Sequence, residues 1–556
     1  MKEKLQLNKA SIFHQSSYCY CYAADENSLY VRLKAEHGAL ANVTLCYKDL
    51  YDHSRDIASV NMPLLLTDGV SDMYEARISL KSRRFKYYFE LTDCSGRLYN
   101  YGSDGFSGQI AEADMFYYPY VNPDEIFNFP RWARGASIYQ VLIDRFFDGD
   151  PSNNPKNCKP RGHMPDRNTY YGGDFAGITE KLDYLVSIGA DILYLSPLLK
   201  SPTYHKYDVA DYLSIDGIYG TREELIQLVR QARGKGIRVI LDCVFNHCSS
   251  KNPIFSDVVQ NGEKSRYKDW FCLNGFPVDE KECNYDCFGG LVPSMPRFNT
   301  SNPEVIDYLT GIALYWTKEL DIDGWRLDVA DEVSHLLWKT LRTRLLDYKP
   351  DLLIIGEIWN QATQWLDGTE MHTVTNYKFR RHLLDLASGA ISAEDFWNKY
   401  NYTVMLYKTP AKSNLVNLVG SHDTARTATL LKNERLALCA LIAMLTFEGM
   451  PLTYYGDEIA LQGGEDPDNR RAMDWTKLNS RFASEYRRVA KYRQKSGVLR
   501  YGDITKINTE GSLLAFVRTY RNKKILIAIN FGEQQEFIYC NKHFSLDACG
   551  YMIKEM

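Results

Sequence analysis

No apolar stretch in this 556-residue chain is long enough to span a bilayer. The longest, LALCALIAMLTF at 436–447, ends at Glu448, short of the roughly 20 residues a membrane helix needs, so a buried helix is expected there. The first residues, MKEKLQLNKASIFHQ, are basic but carry no apolar segment behind them, which argues against a secretory signal. The net charge of -4 comes without a basic patch, and nucleic acid or an anionic membrane is not an expected partner. Thirteen cysteines form no disulfide framework and suit a reducing, cytoplasmic compartment. Cys283 and Cys287, four apart in an aromatic and acidic loop, are read as free thiols in preference to zinc ligands. There is no HExxH motif, internal repeat, low-complexity run or long charge block.

What is present is an ordinary soluble composition, 45% hydrophobic and 24% charged, with forty tyrosines. The length suggests three or four domains at roughly 100–200 residues each. Residues 1–121 cluster β-formers between polar turns, in SLYVRLKA (28–35), ANVTLCYK (41–48), YEARISL (74–80) and FKYYFELTD (85–93), and predict a β-sandwich. NPDEIFNFPRW (122–132) reads as a linker.

From residue 137 short apolar strands alternate with helices. The strands are expected in SIYQVLIDRF, ADILYLSP, RVILDCVFNH, DGWRLDVA, LLIIGEIW, EMHTVTN, NLVNLVGSHD and PLTYYGDE. Thr221 and Glu224 form a capping box for one intervening helix. Pro303 starts another, with Val305, Leu309, Ile312 and Trp316 as its apolar stripe. Eight such units over 122–490 predict an α/β fold, a (β/α)₈ TIM barrel; a doubly wound open sheet is the alternative. The gap at about 248–300 reads as a small subdomain inserted after strand 3, and residues 491–556 as a C-terminal β-domain.

Several of these strands end in reactive side chains: Asp242, Asn246 and His247; Arg326 and Asp328; Glu357; His422 and Asp423; Asp457 and Glu458. A parallel barrel brings all such ends to one rim, where active sites lie. Three acids with an arginine and two histidines suit acetal cleavage, in which an ionised carboxylate attacks the anomeric carbon and a protonated one serves the leaving oxygen. Arg326, two residues before Asp328 on one strand face, is expected to hold that carboxyl low. Partial burial is expected to raise Glu357. His/Asp metal hydrolysis is the rival chemistry.

The motifs DCVFNH (242–247), GWRLDVADE (324–332), GEIW (356–359) and VGSHD (419–423), with HKYDVADY (205–212) and YYGDEIALQGGEDPDNRR (454–471), resemble the signature regions of the alpha-amylase family. MPRFN (295–299) resembles a region of its neopullulanase, cyclomaltodextrinase and maltogenic amylase subfamily. The resemblance implies a retaining hydrolase of α-1,4-glucosidic bonds in cyclodextrins, maltooligosaccharides and pullulan or starch. A transglycosylase or α-1,6-acting enzyme is the alternative, and a catalytically silent glucan-binding scaffold on the same fold is the rival class. It implies Asp328 as nucleophile, Glu357 as acid/base and Asp423 as third carboxylate, with Tyr207, His247, Arg326, Glu332, Trp359, His422, Asp466 and Arg470 binding substrate. Phe288 is a weaker candidate for stacking on a sugar. It also implies a homodimer through the N-terminal domain, with Tyr51 reaching across. Asp331 and Asn469 depart from the residues usual in that subfamily. In DGDPSNN and YGGD, Asp148, Asp150, Asn153, Asn154, Gly172 and Asp174 offer hard oxygens suited to Ca2+, and the resemblance favours a structural ion over an Asx-rich turn.

Overall fold

The computed structural model describes residues 7–556, which form two compact units. The first comprises the chain up to Asn128 together with Gln361–Thr369 and Glu394–Lys412. Its two antiparallel sheets have Cys21–Asp25, Ser28–Glu36, Ser71–Ser79 and Leu64–Thr67 as one layer. Ala58–Asn61, Leu40–Lys48, Phe85–Asp93, Leu98–Gly102 and Gly105–Ser107 form the other, with Phe116–Tyr118 paired to Phe85–Asp93. Alternate residues face inward, as a strand's period of two dictates. Leu29, Val31 and Leu33 from one layer and Phe85, Tyr87, Phe89 and Leu91 from the other are fully buried in one core.

The expected β-sandwich is therefore present, but its unit also recruits two later segments that a cut at residue 121 leaves out. One buried cation ties in the second of them, where Asn401 also donates to the Thr67 carbonyl (2.8 Å) and Met405 packs on Cys19, Tyr20 and Met73. Arg32 pairs with Glu75 (2.7 Å) and donates to the Tyr407 carbonyl (2.7 Å) and the Thr409 hydroxyl (2.8 Å). A buried guanidinium must be saturated in this way.

The second unit holds eight parallel strands that close on themselves. They are β1 (Ile138–Val141), β2 (Ile192–Leu195), β3 (Arg238–Cys243), β4 (Gly324–Leu327), β5 (Leu353–Gly356), β6 (Thr373–Asn376), β7 (Val416–Leu418) and β8 (Met450–Tyr454). Pairing of Ile138 with Leu452 completes the ring and removes the open-sheet alternative. Gly324 begins β4 because a Cβ there would lie 2.5 Å from the Leu353 carbonyl.

The outer helices follow their sequence signals. Thr221 and Glu224 cap α1 (Arg222–Gly234) reciprocally. Asn302 caps α2 (Pro303–Leu320), whose stripe Val305, Leu309, Ile312 and Trp316 is buried. The apolar run 436–447 lies in and just past the buried helix α3 (Glu434–Thr446). Among the described residues no helix is long and apolar enough to cross a membrane.

The insertion after β3 carries a helix, Pro253–Asn261, and a hairpin, Cys287–Phe288 with Val292–Pro296. Cys283 and Cys287 are unbonded, their sulfurs 3.9 Å apart, and all thirteen cysteines are free thiols.

The C-terminal sheet begins at Asp503, not at 491. Helix α4 (Arg481–Lys495) and the short helix Gly497–Tyr501 occupy the intervening residues. Asp503–Ile507, Leu513–Tyr520, Lys523–Asn530 and Tyr551–Glu555 form that sheet, beside a separate hairpin. Two buried arginines join it to the barrel. Arg493 donates to the carbonyls of Leu445, Leu499 and Gly449, and Arg518 to those of Thr446, Phe447 and Gly502. They satisfy carbonyls that the end of α3 leaves without helical partners.

Candidate active site

At the C-terminal rim of the barrel one guanidinium organises the acids. Arg326, 2% exposed, uses Nη1 to donate to Asp242 Oδ1 (2.8 Å) and Asp328 Oδ1 (2.6 Å), while Nη2 lies 2.7 Å from Glu357 Oε1. Asp328 and Glu357 come from β4 and β5, adjacent parallel strands in which Leu327 pairs with Gly356. Each is thus the first residue past a paired position. Asp242 is further bound by the hydroxyls of Tyr194 (2.5 Å) and Tyr207 (2.8 Å). Neither Arg326 nor Asp328 is isolated inside its apolar strand, because this cluster pairs both.

The chain turns sharply after Asp328. Val329 adopts φ 45° and ψ 45°, left-handed values that cost a β-branched residue roughly 1–3 kcal/mol. That conformation aims the Val329 N–H at Glu357 Oε2 (2.9 Å), and the Ala330 N–H reaches the Glu357 carbonyl (3.2 Å). The strained residue beside one carboxyl therefore orients the other.

Asp423 stands opposite, with Oδ2 2.9 Å from His422 Nε2 and Oδ1 accepting from Arg470 Nη2 (3.2 Å). Arg470 also pairs with Asp466 (3.1 Å) and donates to the carbonyl of His422 (2.9 Å). The rings of His422 and Tyr207 are parallel within 3°, their centroids 5.1 Å apart. His247 places Nε2 3.1 Å from the Tyr207 carbonyl, and Phe288 packs on its ring at 4.8 Å. Trp359, 42% exposed, stacks on Tyr377 at 3.8 Å and directs its indole N–H to Glu357 Oε1 (3.3 Å). Glu332 accepts weakly from Asn246 at 3.5 Å.

Electrostatics separate the acids. Burial raises the Glu357 carboxyl, Arg326 offsetting only part of this and Asp423 adding repulsion. Burial raises Asp328 as well, against the pull of Arg326. The expectation that Arg326 alone keeps Asp328 low is corrected here: one guanidinium is divided among three buried carboxyls. Asp328 and Glu357 titrate as a unit whose upper ionisation lies above the ordinary carboxylate range. Asp423 goes the other way. Burial would raise it, but His422 and Arg470 prevail and hold it well below that range. Burial lowers His247 to about 4, against its bond to the Tyr207 carbonyl, so it is neutral at pH 7.

Sequence reasoning left three contributors unassigned. Asp242 stands out only as a polar strand end, while Gln140, whose amide lies 2.7 Å from His422 Nδ1, and Tyr194 sit inside apolar strands. A polar residue interrupting a buried strand was the available signal in each case.

The acidic loop bears on the calcium expectation. Asp174, fully buried, has its carboxylate engaged by the N–H groups of Gly177, Gly149 and Asp150 and the amide of Asn153. Asp150 caps the turn at Ser152. By contrast Asp148 Oδ1, Asn153 Oδ1 and Asn154 Oδ1 are buried with no hydrogen-bond partner. A Cβ on Gly172 would collide with Asn154 Oδ1 at 2.1 Å, so only glycine leaves room there. Three unpaired hard oxygens, one of them against the glycine, fit a hard cation. Among the described residues no three His, Cys, Asp or Glu side chains gather to hold a metal, so this donor set leans on amide oxygens.

Residues 140–496 match the family model for the alpha amylase catalytic domain, and residues 7–122 that for the alpha amylase N-terminal ig-like domain. The chain is 38% identical to a cyclomaltodextrinase of Thermoanaerobacter pseudethanolicus over 96% of its own length and 94% of the relative's. It is 39% identical to neopullulanase 2 of Thermoactinomyces vulgaris, over 94% and 92% respectively. A solved cyclomaltodextrinase structure superposes with a TM-score of 0.90 at 34% identity, covering 95% of this chain and 92% of that one. With the barrel, the carboxyl cluster and these likenesses in agreement, the chain belongs to the alpha-amylase family of glycoside hydrolases.

Proposed function

We propose that the chain hydrolyses α-1,4-glucosidic bonds of cyclodextrins and short maltooligosaccharides, with pullulan and starch as poorer substrates, by double displacement with retention. The observation that carries this reading is the single guanidinium of Arg326 touching both Asp328 and Glu357. Glu357, raised by burial, gives its proton to the glycosidic oxygen as that oxygen leaves C1. With Glu357 holding the one proton of the coupled pair, the Asp328 carboxylate, bonded to Arg326, forms the new bond to C1 from the opposite face. The resulting glycosyl ester is then attacked by water, whose proton passes to Glu357, and the Asp328 carboxylate is released. Asp423, held ionised, accepts from hydroxyls of the reacting sugar, with His422, His247 and Tyr207 around it. Trp359 offers an aromatic face to the acceptor side, and Asp466 and Arg470 close the donor side.

Asp148, Asn153 and Asn154, with Gly172, Asp150 and Asp174 completing the loop, would hold a structural Ca2+, which would compensate charge and cross-link the segment. The N-terminal unit is the surface for a homodimer, where Tyr51, 69% exposed, is available to a second copy. Thirteen free thiols support a cytoplasmic location.

The deciding experiment incubates the enzyme with β-cyclodextrin, pullulan and soluble starch in parallel and separates the sugars by chromatography. Faster cleavage of the cyclic substrate, with maltose accumulating, supports the reading. Preference for starch, or products longer than the substrate, points to a different specificity or to transfer.

A further inference from the structure

Cys283 and Cys287 take no part in the chemistry above, yet the inserted subdomain brings them together. Both are free thiols, and their sulfurs lie 3.9 Å apart. A sulfur–sulfur bond is about 2.0 Å long, so about 2 Å of movement separates the two thiols from a disulfide. Cys283 sits in a turn at φ 52°, a left-handed value uncommon for a residue with a side chain. It is half-buried, whereas Cys287 is 4% exposed. The pair thus offers an outer thiol that a small reagent reaches and an inner thiol placed beside it.

The inner thiol belongs to a hairpin that touches the site. Cys287 pairs with Pro296 across that hairpin. Its neighbour Phe288 packs on the His247 ring, the centroids 4.8 Å apart. The Pro296 carbonyl accepts from the Cys248 N–H (3.1 Å), and Arg297 pairs with His247 as a β-bridge. Arg297 also donates to the Glu332 carbonyl. His247 and Glu332, both candidates for binding substrate, are therefore tied to the strand that pairs with Cys287. The hairpin register shifts between Cys287 and Phe288, and its tip turns on Gly289 and Gly290 at φ 61° and 67°. A pull on Cys287 is taken up at these irregular positions, next to Phe288, and not in the barrel strands.

We propose that Cys283 and Cys287 form a redox modification site, closed to a disulfide by a low-molecular-weight disulfide such as oxidised glutathione, and that closure loosens the packing of Phe288 on His247. The Cys283 thiolate attacks one sulfur of the reagent, forming a mixed disulfide and expelling one thiolate. The Cys287 thiolate then attacks the Cys283 sulfur, which breaks the mixed disulfide and expels the second. The two cysteine protons end on the two released thiols, so two protein thiols are oxidised and one small disulfide is reduced. Such a pair suits a reducing compartment, where disulfides are transient and sense redox state. Asp328, Glu357 and Arg326 come from barrel strands outside the hairpin, so substrate binding suffers more than turnover. The kinetic consequence rests on the catalytic reading above; the bond and its effect on the hairpin do not.

The test equilibrates the full-length enzyme in glutathione buffers of rising oxidised-to-reduced ratio, blocks the remaining thiols with N-ethylmaleimide and maps tryptic peptides by mass spectrometry. Cleavage after Lys281 and Arg297 leaves both cysteines in one peptide. That peptide should appear unblocked and lighter by two hydrogens, and should revert with dithiothreitol. As it forms, hydrogen exchange in residues 244–249 and 286–298 should quicken. KM for β-cyclodextrin should rise about threefold or more, with kcat changed less than about twofold. Cys283→Ser should keep the exchange and KM of the reduced wild type throughout. The proposal is overturned if the disulfide is absent at the most oxidising ratio, or if it forms and leaves exchange and KM unchanged. It is equally overturned if Cys283→Ser responds as the wild type does, which would place the effect on another thiol. A reduced enzyme inactive on β-cyclodextrin would instead defeat the catalytic reading, and the peptide map and exchange would still decide the modification site.

Discussion

His14 makes the N-terminal sandwich sensitive to mild acid, by an amount that can be worked out from its surroundings. The ring is 5% exposed, with Nδ1 2.6 Å from the Arg32 carbonyl and Nε2 3.0 Å from the Tyr87 hydroxyl. Burial lowers its pKa from 6.5 to about 3, the Arg32 carbonyl opposing only part of the shift. Between those two values the opened chain binds a proton that the folded one refuses, so stability falls as pH drops through 6.5 and the loss is complete near 3. From pH 7 to 5 the loss is about 1.9 kcal/mol, roughly a 25-fold rise in the opened population. Hydrogen exchange read by mass spectrometry, corrected for intrinsic rates, measures this locally in Ser28–Glu36 and Phe85–Asp93, the strands that carry its two partners. In full-length His14→Gln the strands should be less protected at pH 7, but their protection should lose this pH dependence. An unchanged dependence in the variant would refute the linkage to His14.

Other outcomes follow from the site. Arg326→Lys replaces a fork by a point charge that cannot serve Asp242, Asp328 and Glu357 together, and kcat should fall at least 100-fold in steady-state assays. Asp423→Asn removes a charge that raises Glu357, so the basic limb of its residual kcat/KM profile should move to lower pH; a limb that stays put or rises contradicts the coupling. Chelation should lower the melting temperature of the wild type by several degrees, and Asn154→Ala should start lower and respond less; equal responses speak against an ion in that loop. Trp359→Ala should raise KM for maltooligosaccharides about tenfold, with a smaller effect on single-sugar aryl glucosides.

The parts legible in the sequence are those set by local periodicity. Seven of the eight barrel strands announce themselves as apolar runs, and Thr221, Glu224 and Pro303 mark helix starts that the structure retains. The catalytic candidates could be picked out because strand ends in a parallel barrel share one rim. What stayed hidden depends on distant partners. Nothing near residues 361–369 or 394–412 signals that Arg32 fixes Tyr407 and Thr409 into the N-terminal unit. Helix α4 crosses position 491 because Arg493 is needed against Leu445 and Gly449, and no local pattern carries that information. The raised pKa of Asp328 is hidden for the same reason: Arg326 is next door in sequence, whereas Asp242 and Glu357, which compete for it, are not.

The most direct measurement traps the covalent intermediate with a 5-fluoro-α-glucosyl fluoride and maps the modified peptide by mass spectrometry. The fluoroglucosyl mass should sit on Asp328 alone and be absent from Asp328→Asn. Its appearance on another carboxyl, or an unlabelled enzyme whose first product is the β-anomer, would contradict attack by the acid that Arg326 holds.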